Sequence, residues 1–402
     1  IHLAVKNKLS QSYQLSFKGL HSLAKVLNNY IHSKDIATQK SIYLLIKEGI
    51  IVDVFYEKAV EIYGVAIDIG TTTLGFHLVD LQTGEIKGTY SKLNTQRMYG
   101  ADVISRIQSA TSGNLDKLKS VIINDITTGI EMLSKDADID NRFIYEVVIA
   151  GNTTMLHLVL GLSPESIGKY PFTSTTLSLM EFSFEKVFNS SLLDCKVSLL
   201  PGIDAFVGAD ITAGILHHDL FKSEKVNMLI DIGTNGEIVI GNKERILATA
   251  TAAGPALEGG KISCGTGGVV GAISSVVYDH DAFVLEVIGD QKPIGICGSG
   301  IIDTIAEGVK YGWIDHTGRL SKTLKNREIV IYHDKEGNDI KLTQKDIREI
   351  QMAKSALRSG IECLVEEYGV SFDRIEHVYI AGGFGSNINI ESSAQIGLIP
   401  KE

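Results

Sequence analysis

The chain has 402 residues, 44% of them hydrophobic, which is enough for two or more packed domains. A net charge of −10 argues against nucleic acid or an anionic membrane as the main partner, and no basic cluster overrides it. No apolar run reaches the length of a membrane span and no signal-peptide core is visible, so a cytoplasmic location is expected.

In chain order, Leu20, Leu23, Leu27 and Ile31 recur at helical spacing over 17–32. Segments 41–47 and 50–56, joined by Glu48-Gly49, predict a hairpin. Residues 1–62 are thus expected to form a linker and a small α/β module. From Gly64 strands alternate with helices. Strands are predicted at 64–80 and 86–93, then a helix with Leu115, Leu118, Ile122, Ile126, Ile130 and Leu133 on one face, then a buried strand at 147–151. Residues 165–205 are predicted irregular, with a boundary at Pro201-Gly202. A helix over 208–218 leads into a hairpin at 228–241. A glycine-rich stretch at 251–268, a strand pair near 282–288 and a helix opened by 295–303 follow. A long helix spans 344–368, with Ile347, Ile350, Met352 and Leu357 at apolar positions, and a last strand and turn occupy 377–387. The chain begins at Ile1 and stops soon after that turn, where another helix is expected, so both ends are expected to belong to a longer protein.

One motif occurs twice. Ile-Asp-Ile-Gly-Thr stands at 67–71 and again at 230–234, each time between two apolar runs. Each copy predicts a β-hairpin with an acid near the end of its first strand and a tight turn beside it. A second echo, VVIAGNTT at 147–154 and VYIAGGFG at 378–385, follows the two hairpins in the same order. The repeat predicts a duplicated α/β fold, with halves at 64–205 and 206–402.

Asp68 and Asp231 are costly to bury unless they meet a cation, and two of them converging on Mg2+ would satisfy both. Gly70 and Gly233 allow close approach to an anion, and Thr71, Thr72, Thr73, Thr234, Asn235 and Gly236 offer donors to phosphate oxygens. The same turns also suit ordinary hairpins; the repetition favours phosphate. Gly382, Gly383 and Phe384 follow a buried strand, where bare backbone lets a base or ribose lie flat. Glu237 and Asp210 are candidates to orient an attacking water, or else to cap a helix or form ion pairs. Glu258 is a candidate contact to a nucleotide sugar or a structural residue. Cys264 and Cys297 lie in glycine-rich turns that would raise thiolate character, or fill tight space as small buried residues. His217-His218 is expected to cap a helix or face solvent.

The hairpin-Asp-Gly order and the late AGGFG resemble the actin-fold ATPase superfamily, which implies phosphate on the two hairpins and adenosine on the last turn. YGVAIDIGTTTLG, NTQRMYGADVISRI (94–107), VIAGNTTMLHL, LIDIGTNGEIV, TAAGPALEGG, GICGSGIID and AGGFGSNINIE are similar, more narrowly, to the reductive activators of corrinoid proteins. That resemblance covers about residue 20 to the end. It implies an actin-like (ribonuclease H-like) pair of halves around a nucleotide cleft and ATP with Mg2+ as cofactors. It further implies a homodimer, a corrinoid protein partner and a low-potential electron donor. The family's 2Fe–2S domain would stand N-terminal to this chain, whose sequence lacks the four-cysteine signature. Two related readings stay open. One is the 2-hydroxyacyl-CoA dehydratase type of activator, with Cys264 and Cys297 at a dimer-bridging 4Fe–4S cluster; the other is a small-molecule kinase of the same fold. A non-enzymatic, ATP-gated scaffold is a third.

Overall fold

Three short strands and one amphipathic helix lead into the larger sheets in the computed structural model, which describes residues 13–32, 42–55, 61–334, 337–385 and 387–400. Strands β1 (Gln14–Leu15), β2 (Tyr43–Lys47) and β3 (Ile50–Phe55) form a sheet in the order β1-β3-β2. Glu48 and Gly49, both at positive φ, close the expected hairpin; its outermost positions, 41 and 56, lie outside the described residues. Helix α1 (Phe17–His32) covers the sheet, with Val26 packed on Ile51 and Val54. This module docks through a polar hook. Buried Asp53 accepts from the Tyr145 hydroxyl at 2.7 Å, and the Lys18 ammonium sits 4.0 Å from the Tyr145 ring centre.

The first large sheet contains β4 (Tyr63–Ile69), β5 (Thr73–Asp80), β6 (Ile86–Leu93), β7 (Ile144–Gly151), β8 (Met180–Ser183) and β9 (Lys196–Leu199), in the order β6-β5-β4-β7-β9-β8. Helices α2 (Val103–Ser109), α3 (Leu115–Asp136), α4 (Thr153–Leu160) and α5 (Phe184–Phe188) accompany it. The apolar stripe of α3 does what its spacing predicts: Leu118, Ile122, Ile126, Ile130 and Leu133 are all buried in one cluster with the strands. The stretch expected to be irregular holds β8, α5 and β9. Its strand β9 is missed because the alternation of Lys-Val-Ser-Leu lasts only four residues, too short to stand out from its surroundings.

Helix α6 (Ala209–His217) then crosses to the second sheet. There β10 (Val226–Ile232), β11 (Gly236–Gly241) and β12 (Ile246–Thr251) are joined by the late strand at 375–381, which pairs parallel to β10. Between them, β13 (Ala272–Asp279), β14 (Ala282–Val287) and β15 (Gly295–Ile296) form a small sheet. The expected strand pair is therefore longer and begins earlier. Helix α7 (Gly298–Lys310), the hairpin β16 (Glu328–Tyr332) and β17 (Ile340–Thr343), and helix α8 (Gln344–Tyr368) precede that late strand, β18 (Ile375–Ala381). On α8 the buried face is Ile347, Ile350, Ala353, Leu357 and Ile361, whereas Met352, expected at an apolar position, is 73% exposed. The expected last turn is one helical turn, α9 (Gly382–Gly385), and a short helix that was not expected before the chain stops, α10 (Ile390–Gln395), follows it. Ser386, inside the predicted turn, lies outside the described residues.

Gly129 of α3 faces the ring of Phe76 on β5; a Cβ there would fall 2.4 Å from its Cζ. Gly129→Val should therefore destabilise the protein by about 1–3 kcal/mol through overpacking. Urea unfolding checks this, and an unchanged midpoint would show that the ring has room to turn.

Candidate functional site

The repeated Asp-Gly-Thr segments occupy equivalent places. Asp68 on β4 lies opposite Gly75 of β5 and beside Ala150 of β7; Asp231 on β10 lies opposite Glu237 of β11 and beside Ala381 of β18. Directly opposed residues of paired strands share a face. The first aspartate thus shares its face with a bare glycine, the second with another acid. Gly382, at φ +89°, lets the chain pass Asp231, because a Cβ there would sit 2.5 Å from Asp231 Oδ1.

A third acid comes from α6. Gly208 precedes that helix, and a Cβ on it would lie 2.5 Å from Asn152 Cα and 2.7 Å from the Gly151 carbonyl oxygen. This close approach sets the first turn of α6, with Asp210, against the end of β7. Asp210 accepts from the Ile211 N–H at 2.9 Å rather than acting as the N-cap, which is Gly208.

Asp68 is exposed in part, yet loss of solvation to the protein around it is the largest cause raising it to about 7, and the charge of Asp210 adds to it. Asp231 is also raised to about 7, by burial and then by Asp210, Asp68 and Glu258. Glu237 is raised well above the ordinary carboxylate value by burial, then by Asp210 and Asp231. Asp210 and Glu258 are raised by burial as well, the latter against the opposing bond from Thr234. Asp210 is the common partner of three of these acids. Among the described residues, no set of three or more His, Cys, Asp or Glu is spaced to hold a metal ion unaided.

The two turns are supported differently. In the first, the carbonyls of Gly70, Thr71 and Thr72 accept from the Asn94 side chain, Arg106 and the Asn94 backbone N–H. Thr71 also takes the Asn152 amide on its hydroxyl at 3.1 Å, so its side chain is turned inward. In the second, Gly233 N–H bonds the Asn235 carbonyl at 3.0 Å, and the Thr234 hydroxyl donates to Glu258 at 2.5 Å. Gly236 lies behind this turn: a Cβ there would meet Thr251 Oγ1 at 2.7 Å and Leu357 Cδ1 at 2.8 Å, a packing requirement. A cleft of about 650 Å³ joins the halves, lined by Thr72 and Thr73 on one side and by Glu258, Gly298, Gly383 and Phe384 on the other. Asn94, Arg106 and Asn152 were not singled out by sequence; the Asn152 signal was its place in the AGNTT echo.

One expectation is corrected. Cys264 donates its thiol to the Lys341 carbonyl at 2.8 Å, and burial pushes its pKa up, so its thiolate is disfavoured rather than favoured. Buried Cys297 lies 3.3 Å from the Ser299 hydroxyl. As expected, His217 is exposed and His218 caps the end of α6, its N–H donating to the Gly214 carbonyl at 3.1 Å; its ring also stacks on Tyr379 with centroids 3.9 Å apart.

Two sheets that each present an aspartate beside a tight turn, across a shared cleft, define the actin-like ASKHA class of fold. Residues 63–223 match the model described as the RACo middle region, and residues 225–402 match the C-terminal domain of RACo, the ASKHA domain. The chain belongs to this RACo family. It is 38% identical over 369 residues to the corrinoid activation enzyme RamQ of Eubacterium limosum, covering 86% of this chain and 61% of that protein. It is 26% identical over 369 residues to the Co(II) methylated amine-specific corrinoid protein reductase of Methanosarcina barkeri, covering 84% of this chain and 66% of that one. A solved reductive activator for corrinoid, iron–sulfur protein superposes with a TM-score of 0.85 at 31% identity, over 100% of this chain and 66% of the other. The chain thus spans less than two thirds of the length of these relatives. No helix among the described residues is long and apolar enough to cross a membrane.

A carboxyl whose pKa is higher in the folded than in the unfolded chain holds its proton more tightly when folded, so its ionisation favours unfolding. For Asp68 that loss of stability develops as pH rises from the ordinary value of 3.8 through about 7. Without nucleotide, Asp68→Asn should match the parent at about pH 4 and exceed it in melting temperature above about pH 7. Thermal unfolding across this interval checks it, and a gap that closes with rising pH would overturn the electrostatic account.

Proposed function

We propose that this chain is the nucleotide-handling body of an ATP-dependent reductive activator, coupling ATP binding and hydrolysis to the reduction of Co(II) to Co(I) in a corrinoid protein of a methyl-transferring system. The observation that carries the reading is the cluster of mutually repelling acids beside two matched hairpins, in a chain 38% identical to a corrinoid activation enzyme. Asp68 and Asp231 would hold Mg2+, whose charge would offset theirs and draw phosphate oxygens to the site. Carboxyl groups with raised pKa values suit that role, since a cation would favour their ionised forms. Thr72, Thr73, Thr234 and Asn235, with the backbone of Gly70 and Gly233, hold phosphate oxygens. Glu258, Gly383 and Phe384 receive the adenosine. Glu237, which shares its face with Asp231 and has only Gly75 as counterpart, positions the attacking water; burial, then Asp210 and Asp231, favour its protonated form.

Reduction of Co(II) to Co(I) is uphill from ordinary donors. A low-potential carrier supplies the electron, and an iron–sulfur cluster of the 2Fe–2S type is the expected relay. ATP acts by favouring a conformation that docks the corrinoid protein in a more reducible state, to the extent that it binds that conformation better. Activity as a homodimer in the cytoplasm fits this role.

The test is a spectroscopic titration of Co(II) corrinoid proteins with the native protein, reductant and ATP, following Co(I) absorbance. Co(I) should form only with ATP and Mg2+. Asp231→Asn should lower both ATP hydrolysis and Co(I) formation by about 100-fold or more, as expected on losing a group that stabilises charge in the transition state. Equal Co(I) formation without ATP would sink the proposal. Phosphate appearing on a sugar or carboxylate, not in solution, would instead make the protein a kinase.

A further inference from the structure

Segment 94–106 performs a task that its sequence does not announce. Arg106 of α2 is fully buried, and its four hydrogen bonds all go to neutral acceptors. These are the Gly100 carbonyl at 2.9 Å, the Gln96 side-chain oxygen at 3.5 Å, Met155 Sδ at 3.2 Å and the Thr71 carbonyl. Asp102 is the carboxylate that acts on it through space, and no ion pair among the described residues includes it. Burial lowers its pKa to about 10, which leaves it charged at neutral pH. A buried cation without a carboxylate is costly, so its place beneath a candidate anion-binding turn is informative.

The peptide group it holds joins Thr71 to Thr72. In a planar trans peptide the N–H points opposite to the C=O. Arg106 pulls the carbonyl back into the protein, so the Thr72 N–H faces the other way, and Thr72 lines the cleft. Asn94 does the same to the peptides on either side, accepting neither but donating to the Gly70 and Thr72 carbonyls at 2.9 Å each. No acceptor among the described residues takes the N–H of Thr71 or Thr72.

We propose that Arg106 is a positioning residue for phosphate: it fixes the Thr71–Thr72 peptide from behind and polarises the Thr72 N–H toward a phosphate oxygen, lending its charge to the turn without touching the ligand. The proposal rests on the reading that this cleft takes ATP and adds the source of its affinity for the phosphate chain. The surrounding network keeps the device rigid. Gln96 donates to the Leu118 carbonyl at 3.0 Å, and buried Asp125 takes Thr95 N–H at 2.8 Å and Lys92 at 2.6 Å.

Calorimetric titration with ATP, pyrophosphate and adenosine separates the possibilities in the intact protein. Arg106→Met should weaken ATP and pyrophosphate by about 10- to 100-fold, the range for a lost charge-assisted hydrogen bond, and leave adenosine unchanged. Arg106→Lys should recover part of the loss. Should Arg106→Met fail to fold, as judged by thermal unfolding without ligand, Gln96→Glu places a carboxylate on the guanidinium and should produce the same selective loss. An equal loss for adenosine and ATP, or no loss for ATP, overturns the role of Arg106. Failure of the unaltered protein to bind ATP overturns instead the nucleotide reading beneath it.

Discussion

Five carboxyl groups gathered beside the two repeated turns constrain everything else in this molecule. Each is raised above its ordinary pKa, with burial as the largest cause, and several act on one another. Such an arrangement costs free energy whenever the acids ionise. It persists because each partner strand is anchored in its own apolar cluster. Val65, Ile67 and Ile69 stand in the first cluster, and Met228, Ile230 and Ile232 in the second. The cores hold the aspartates in place; the aspartates do not hold the cores.

The two halves repeat one another in backbone and differ in chemistry. In both, the aspartate pairs with the alanine of an Ala-Gly turn across a parallel strand. In the first half the turn is backed by buried donors, Asn94 and Arg106, which leave backbone N–H groups for a ligand. In the second, Thr234 is tied to Glu258, and Glu237 stands opposite the aspartate. On the proposed reading the first side holds an anion through amides while the second gathers the acids, and hydrolysis would draw on both.

Most of the regular structure was legible because it is carried by period. The stripe of α3, the two hairpins and the strand at 147–151 are apolar patterns that solvent exclusion alone dictates. The paired aspartates were legible because the same five residues recur. What escaped depended on contacts distant in sequence. Lys-Val-Ser-Leu is a strand only because β7 lies alongside it. Met352 carries an apolar side chain on a face that nothing covers. Arg106 looks like any solvated arginine on a short amphipathic helix until Thr71, thirty-five positions earlier, is found accepting its proton. The thiol of Cys264 behaves in the same way: the glycines around it suggested exposed amides, but the Lys341 carbonyl reaches it first.

The same electrostatics gives the cleft a direction of response. Asp68 belongs to the first half, and Asp231 and Glu258 to the second; Asp210 is carried by the helix that crosses between the sheets. Repulsion among them would rise as the halves approach and the acids ionise. On the proposed reading, a ligand that brings positive charge among them and negative charge onto the amides of Thr71 and Thr72 would reverse both terms, most strongly when the halves are closest. Its affinity would then be greater for an arrangement in which the halves lie closer. That difference is the whole of what a bound ligand can contribute to a conformational equilibrium. A surface that depends on closure inherits it, wherever on the two halves that surface lies.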